Sequence, residues 1–223
     1  MAKTMILSCP SIRKELEEVI SATNFDGEVH FLSEKLHATP PVMHTTLQEY
    51  IDNNKEAEKI IICVSGCGKS TVGLKATTAD LILPRTMDCI DILLTGTGVK
   101  RPQGSIFITK SWMNFFKAGS ICHEKLIAER GYDAAAEFLR KIYHGFEDFY
   151  IIDTGTYDTK EVEAYITPLV KILNGRLHYL PGKFEVLHKM LSGNYDKDVI
   201  VIPTGGELSI HEFDGLRPAV IKK

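Results

Sequence analysis

Three of the five cysteines in this 223-residue chain, Cys9, Cys67 and Cys89, each come shortly after a run of strand-forming residues. If those strands are neighbours in a parallel sheet, the loops that follow them share one edge and the thiols converge. Three protein thiolates suit an iron–sulfur cluster with one iron left open, or a zinc ion with an open fourth position. The spacing is far wider than that of a C-x-x-C pair, so the fold alone has to bring them together. Lys69 and Arg85 stand close in sequence to Cys67 and Cys89. Positive charge beside a thiol lowers its pKa and offers a place for an anionic ligand. Cys63 falls inside an apolar run and Cys122 in a helical stretch, which marks both as structural. The competing reading leaves the three as separate small core residues.

The middle thiol sits in the stretch around which the chain is organised. Ile60, Ile61, Ile62 and Val64 form a short β-branched run, the pattern of a strand buried on both faces. Gly66 and Gly68 then allow a tight curl around Cys67 and Lys69, with the hydroxyls of Ser70 and Thr71 following. Gly68-Lys69-Ser70 matches the end of a P-loop, but the first glycine of that pattern would fall at Cys63. The nearest match to a magnesium-holding acid at a strand end is Asp153. A phosphate- or nucleotide-binding enzyme is therefore the alternative, with Gly66 to Thr71 as anion cradle and Asp153 as metal ligand or base. Cys63 in place of glycine predicts weak or absent binding of magnesium nucleotides.

The elements that must position these residues alternate between strand and helix. Strands are expected at Thr4 to Ser8, Val29 to Leu32, Asp80 to Leu83, Ser105 to Thr109, Phe149 to Ile152, Arg176 to Leu180 and Val199 to Ile202. Pro10 suits a first helical position, with Cys9 as its N-cap. His37 and His44 flank the Pro40-Pro41 pair and read either as metal ligands or, the commoner case, as hydrogen-bonding loop residues, and Thr46-Leu47-Gln48-Glu49 reads as a capping box opening a short helix. Trp112 to His144 is helical with breaks at Gly119 and Gly131. The two ends of the chain repeat one order of elements, the second copy ending at Pro203-Thr204-Gly205-Gly206. The expected fold is α/β, with two similar Rossmann-like halves whose parallel sheets flank a central cleft. The halves would be 1–110 and 146–223, joined by a helical connection at 111–145. Segments 1–95 and 146–210 would superpose, placing Thr204 and Gly205 across the cleft from Gly66.

Bulk composition narrows the function class. A net charge of −3 with 25% charged residues gives no basic face for nucleic acid, and no apolar run reaches the length of a membrane span. The first residues enter a strand directly, without the apolar core of a signal peptide. Five cysteines without an export signal point to reduced thiols in a cytoplasm.

Several of these residues also carry a family resemblance. Cys9-Pro10, the Gly66-Cys67-Gly68 loop with Val72-Gly73-Leu74, and Leu83-Pro84-Arg85 leading to Asp88-Cys89-Ile90 resemble the domain of unknown function 1638 family. Phe107-Ile108-Thr109 with Trp112, and Pro203 with its glycine, extend the likeness over nearly the whole chain. The family occurs in anaerobic bacteria and archaea, often encoded near corrinoid-dependent methyltransferases. The family brings no settled activity; its gene neighbourhood implies corrinoid or methyl-transfer metabolism as the setting, in which the three thiols Cys9, Cys67 and Cys89 would hold zinc or an iron–sulfur cluster. Gly66, Gly68, Lys69, Ser70, Arg85, Asp153, Thr204 and Gly205 would line a place for a small anionic ligand. Corrinoid would enter through a partner, a corrinoid protein or methyltransferase, and a purely non-catalytic docking role is a further alternative. Where the family commonly has a histidine before the Asp-Cys pair, this chain has Met87.

Overall fold

The computed structural model describes residues 3–102 and 104–216. The first half of the chain runs β1 (Thr4–Ser8), α1 (Arg13–Thr23), β2 (Glu28–Phe31), α2 (Pro40–Asn53), β3 (Lys59–Cys63), β4 (Asp80–Pro84) and α3 (Cys89–Leu94). There follow β5 (Ser105–Ile108), α4 (Lys110–Ala118), α5 (His123–Arg130), α6 (Tyr132–Ile142), β6 (Asp148–Asp153), α7 (Thr159–Ile172) and β7 (Arg176–Pro181). The last elements are α8 (Glu185–Ser192) and β8 (Val199–Ile202). The architecture is mixed α/β with mainly parallel sheets, as the alternation of strand and helix predicts.

Two compact units form, one from residues 3–96 with 183–216 and the other from 97–182. The first holds a five-stranded sheet ordered β2-β1-β3-β4-β8, the second a three-stranded sheet ordered β5-β6-β7. Among the described residues, every pairing of named strands is parallel except β4 with β8, which is antiparallel. The expected pairing of halves fails at this point. The last strand completes the first sheet instead of a second one, and the unit boundaries lie at 96 and 183, not at 110 and 145. An apolar run such as Val-Ile-Val-Ile records burial but not direction, so the pattern could not reveal this.

Strand β3 is buried along Ile60, Ile61 and Ile62, as a central strand covered on both faces must be. Leu7, Val64, Leu81 and Leu83 join it in the first core, together with Leu47 and Ile51 from α2. The second unit packs Ile108, Phe149 and Ile151 of its sheet against Leu139, Ile166 and Leu169. Helix α2 begins six residues before the expected capping box, because Pro40 and Pro41 take its first positions, where the missing N–H costs nothing. After β8 the chain turns back. Residues 73–76 and 205–208 run antiparallel, through bonds such as Leu208 N–H to Leu74 O at 2.9 Å and Gly205 N–H to Ala76 O at 2.8 Å.

This layering sets an expected pattern of stability. Ile62→Ala should destabilise the protein by about 2–5 kcal/mol through lost burial and a residual cavity. Val201→Ala, on the 41%-exposed side chain of β8, should stay within about 0.5 kcal/mol. Urea unfolding followed by circular dichroism separates the two, and equal losses would contradict an exposed face on β8.

Candidate functional site

The site is built at the carboxyl edge of the first sheet. Ser8, the last residue of β1, pairs with Cys63, the last of β3, and the Cys9 N–H donates to the Cys63 carbonyl at 3.3 Å. Strand β4 lies parallel on the other side of β3, so the chain segments carrying Cys9, Cys67 and Cys89 leave the sheet together. Cys9 is buried, and Cys67 and Cys89 are half-buried. All five cysteines are free thiols.

Polar contacts tie the three sulfurs into one group. The Ser11 hydroxyl donates to the Cys9 Sγ at 3.1 Å and also lies within hydrogen-bonding reach of Cys89, its single proton serving one sulfur at a time. The Cys89 N–H donates in turn to the Cys67 sulfur. Burial pushes the Cys67 thiol up to about 12, with the Asp88 carboxylate and Cys9 adding to the shift. Burial likewise raises Cys89 well above the ordinary thiol range, with Cys67, Asp88 and Cys9 contributing. At neutral pH these two are therefore protonated thiols. Among the described residues no three His, Cys, Asp or Glu side chains are set, as they stand, to hold a metal ion. The donor types fit a soft metal, but the sulfurs would have to turn from their present partners and lose protons to bind one.

The glycine loop between β3 and β4 is held from several sides. Gly66 donates its N–H to Thr86 O at 3.0 Å and faces the Phe213 ring, which a Cβ on Gly66 would meet at 3.4 Å. Gly68 has φ 56° and lies under Pro40, whose Cγ a Cβ would approach to 2.6 Å. Both constraints demand glycine there. His44 bonds through Nδ1 to the Ser70 carbonyl at 3.1 Å, so this histidine braces the loop from α2. The Ser70 hydroxyl is buried without a hydrogen-bond partner.

Part of the expected anion cradle is turned inward. The N–H groups of Lys69, Ser70 and Val72 donate to Gly66, Cys67 and Lys69 carbonyls, so they turn inward on the loop itself. A P-loop instead aims such amides at phosphate and runs on into a helix, whereas this loop continues through turns toward β4. The Lys69 side chain is exposed, at φ 63°. Arg85 is committed elsewhere: its Nε donates to Glu212 O at 2.8 Å and its Nη2 to Asp214 O. It clamps the returning tail rather than standing free beside the thiols.

Of the remaining expected ligands, Thr204 and Gly205 lie apart from the cysteine loops within the first unit. Thr204 donates its N–H and hydroxyl to Asp80 Oδ1 at 2.8 and 3.0 Å, at the start of β4. Because β8 is antiparallel to β4, Thr204 and Gly205 fall at the amino edge, opposite the cysteine loops. The glycine loops therefore do not face a shared cleft. Asp153 belongs to the second unit, where its Oδ1 accepts from the Gly155 N–H at 3.0 Å. Cys63 is buried in β3 and its thiol is raised to about 12 by burial. Cys122 is buried at the start of α5, with its Sγ 3.4 Å from the Tyr165 hydroxyl. Ser11 and Asp88 were not singled out by sequence, although each lies within two residues of a cysteine.

The second unit buries a histidine. His123 is 1% exposed, packed near Tyr165 and Phe116, and neither ring nitrogen has a hydrogen-bond partner.

With this geometry in view, comparison with known proteins gives one match. The family model for a protein of unknown function, DUF1638, matches residues 31–191, and the chain belongs to that family. Cys67 and Cys89 lie inside the matched span and Cys9 outside it. No curated protein and no solved structure matches the chain.

Two outcomes follow. A thiol three units above its usual pKa has about a thousandfold less thiolate, so at pH 8 Cys67 should react with iodoacetamide far more slowly than a free cysteine. Peptide mass spectrometry reads this directly, and fast labelling would mean that Lys69 activates the thiol after all. Burial lowers the His123 pKa, against the opposing pull of Glu124. Below its ordinary value of 6.5 the unfolded chain takes up a proton that the folded chain refuses, so stability falls as pH drops. The slope for this one group is at most about 1.4 kcal/mol per pH unit. The single tryptophan, Trp112, reports unfolding of this unit by fluorescence, and His123→Phe should flatten the acid dependence.

Proposed function

We propose that the protein binds a thiophilic metal ion or an iron–sulfur cluster through Cys9, Cys67 and Cys89. The observation that carries this reading is the chain of contacts through the Ser11 hydroxyl and the Cys89 N–H, which gathers three thiols from distant parts of the sequence. Separate core cysteines have no need of shared donors. The place of action is a reducing cytoplasm, in keeping with five free thiols. Among the described residues no helix is long and apolar enough to cross a membrane. The metabolic setting follows the family resemblance: methyl transfer with a corrinoid protein or methyltransferase as partner. A role for the site in holding a small anion is the weaker part of this reading, because Arg85 is taken up by tail carbonyls.

When bound, the metal would supply Lewis acidity or electron transfer. The chain's own part is to hold the sulfurs at one sheet edge and to screen them from water. Ser11 and the Cys89 amide would then donate to thiolates, the stronger charge-assisted form of the bonds they make to thiols.

Anaerobic reconstitution with zinc or with iron and sulfide, followed by metal analysis, tests the proposal. Cys9→Ala, Cys67→Ala and Cys89→Ala should each lose most of the metal, while Cys122→Ala retains it. Affinity should rise with pH, since binding must displace protons from Cys67 and Cys89. Retention of metal in all three variants would reject the shared site.

A further inference from the structure

Helix α5 has few anchors. Of its eight residues only His123 and Leu126 are buried, and a helix of about two turns does not hold its shape without packing. His123 is its first residue. The imidazole lies 4.9 Å from the Tyr165 ring of α7 and 6.3 Å from the Phe116 ring of α4, centroid to centroid. Cys122, just before it, is buried as well and meets the Tyr165 hydroxyl at 3.4 Å. One imidazole and one thiol thus pin the start of α5 into the seam between α4 and α7. The imidazole fits there only while neutral. Neither of its nitrogens has a hydrogen-bond partner over which a charge could spread. It stands at the positive end of the α5 dipole, where a cation is unfavourable. The Lys117 ammonium lies 4.5 Å from the centre of the same Tyr165 ring and repels a second cation. Against these, the exposed Glu124 carboxylate favours the proton, and burial outweighs it.

We infer that His123 is an acid-sensitive latch: its protonation releases the start of α5 from α4 and α7 while the sheet of this unit stays folded. Gly119 and Gly131 flank α5 and let the chain bend on either side of it, Gly131 standing already at φ 77°. The opening bares the Phe116 and Tyr165 rings and the Cys122 thiol, which is 1% exposed in the closed form. The device is independent of the three-cysteine site, because every residue in it belongs to the second unit.

Amide hydrogen exchange of the full-length protein, read by peptide mass spectrometry and corrected for intrinsic rates, tests the latch at about pH 7.5 and about pH 5.5. A released imidazole takes up its proton at the ordinary 6.5, whereas the buried one refuses it. Opening of residues 119–131 should therefore rise about tenfold over that interval. Strand β6 (Asp148–Asp153), in the same unit, should stay protected throughout. A pyridyl disulfide, which reacts with thiols in acid, should label Cys122 faster by the same factor. His123→Phe keeps an aromatic ring in the seam and should abolish both increases, and His123→Leu supplies a second uncharged side chain should phenylalanine not pack. The latch is overturned if acid leaves residues 119–131 of the unaltered protein equally protected, or if either folded variant keeps the acid increase. Exchange of β6 in step with α5 also overturns it, because the unit then unfolds as a whole.

Discussion

The parallel register of β1 on β3, with Ser8 opposite Cys63, is the constraint on which the site depends. Parallel strands on adjoining positions send their carboxyl ends to one edge, and β4 on the far side of β3 does the same. Residues 9, 67 and 89 are remote in sequence and gain proximity only through that register. A one-residue slip of β1 would turn its buried side chains to the opposite face. The buried Ile60, Ile61 and Ile62 make such a slip costly, so the core of the first unit also positions the thiols.

The glycine loop shows how the surrounding structure fixes a segment with little regular hydrogen bonding. Pro40 closes over Gly68, His44 holds the Ser70 carbonyl, and Phe213 lies on Gly66. The tail reaches that point because residues 205–208 pair with 73–76, and because Arg85 grips the carbonyls of Glu212 and Asp214. An arginine at the end of a strand beside two cysteines looks like an anion-binding group in sequence. Its use here is mechanical. Burial then sets the chemistry, holding Cys67 and Cys89 protonated until something displaces the protons.

Much of this was legible in the residues themselves. The β-branched run before Gly66 announces a central strand, Pro10 marks the turn after Cys9, and the three cysteines follow three strands of one sheet. What sequence could not supply was direction and partnership. The Val-Ile-Val-Ile of β8 carries no sign of its antiparallel pairing, so Thr204 and Gly205 were expected on the wrong edge. Thr46 to Glu49 has the composition of a capping box, yet Pro40 starts the helix earlier because its fixed φ suits a first turn. The partners of Arg85 lie more than a hundred residues away and are backbone carbonyls, which leave no trace in side-chain patterns.

The central claim is that Cys9, Cys67 and Cys89 act as one ligand set. X-ray absorption at the zinc edge, on protein loaded with one equivalent of zinc without oxygen, addresses it most directly. The account predicts three sulfur scatterers at about 2.3 Å. A first shell of nitrogen and oxygen alone, with no sulfur, would contradict it.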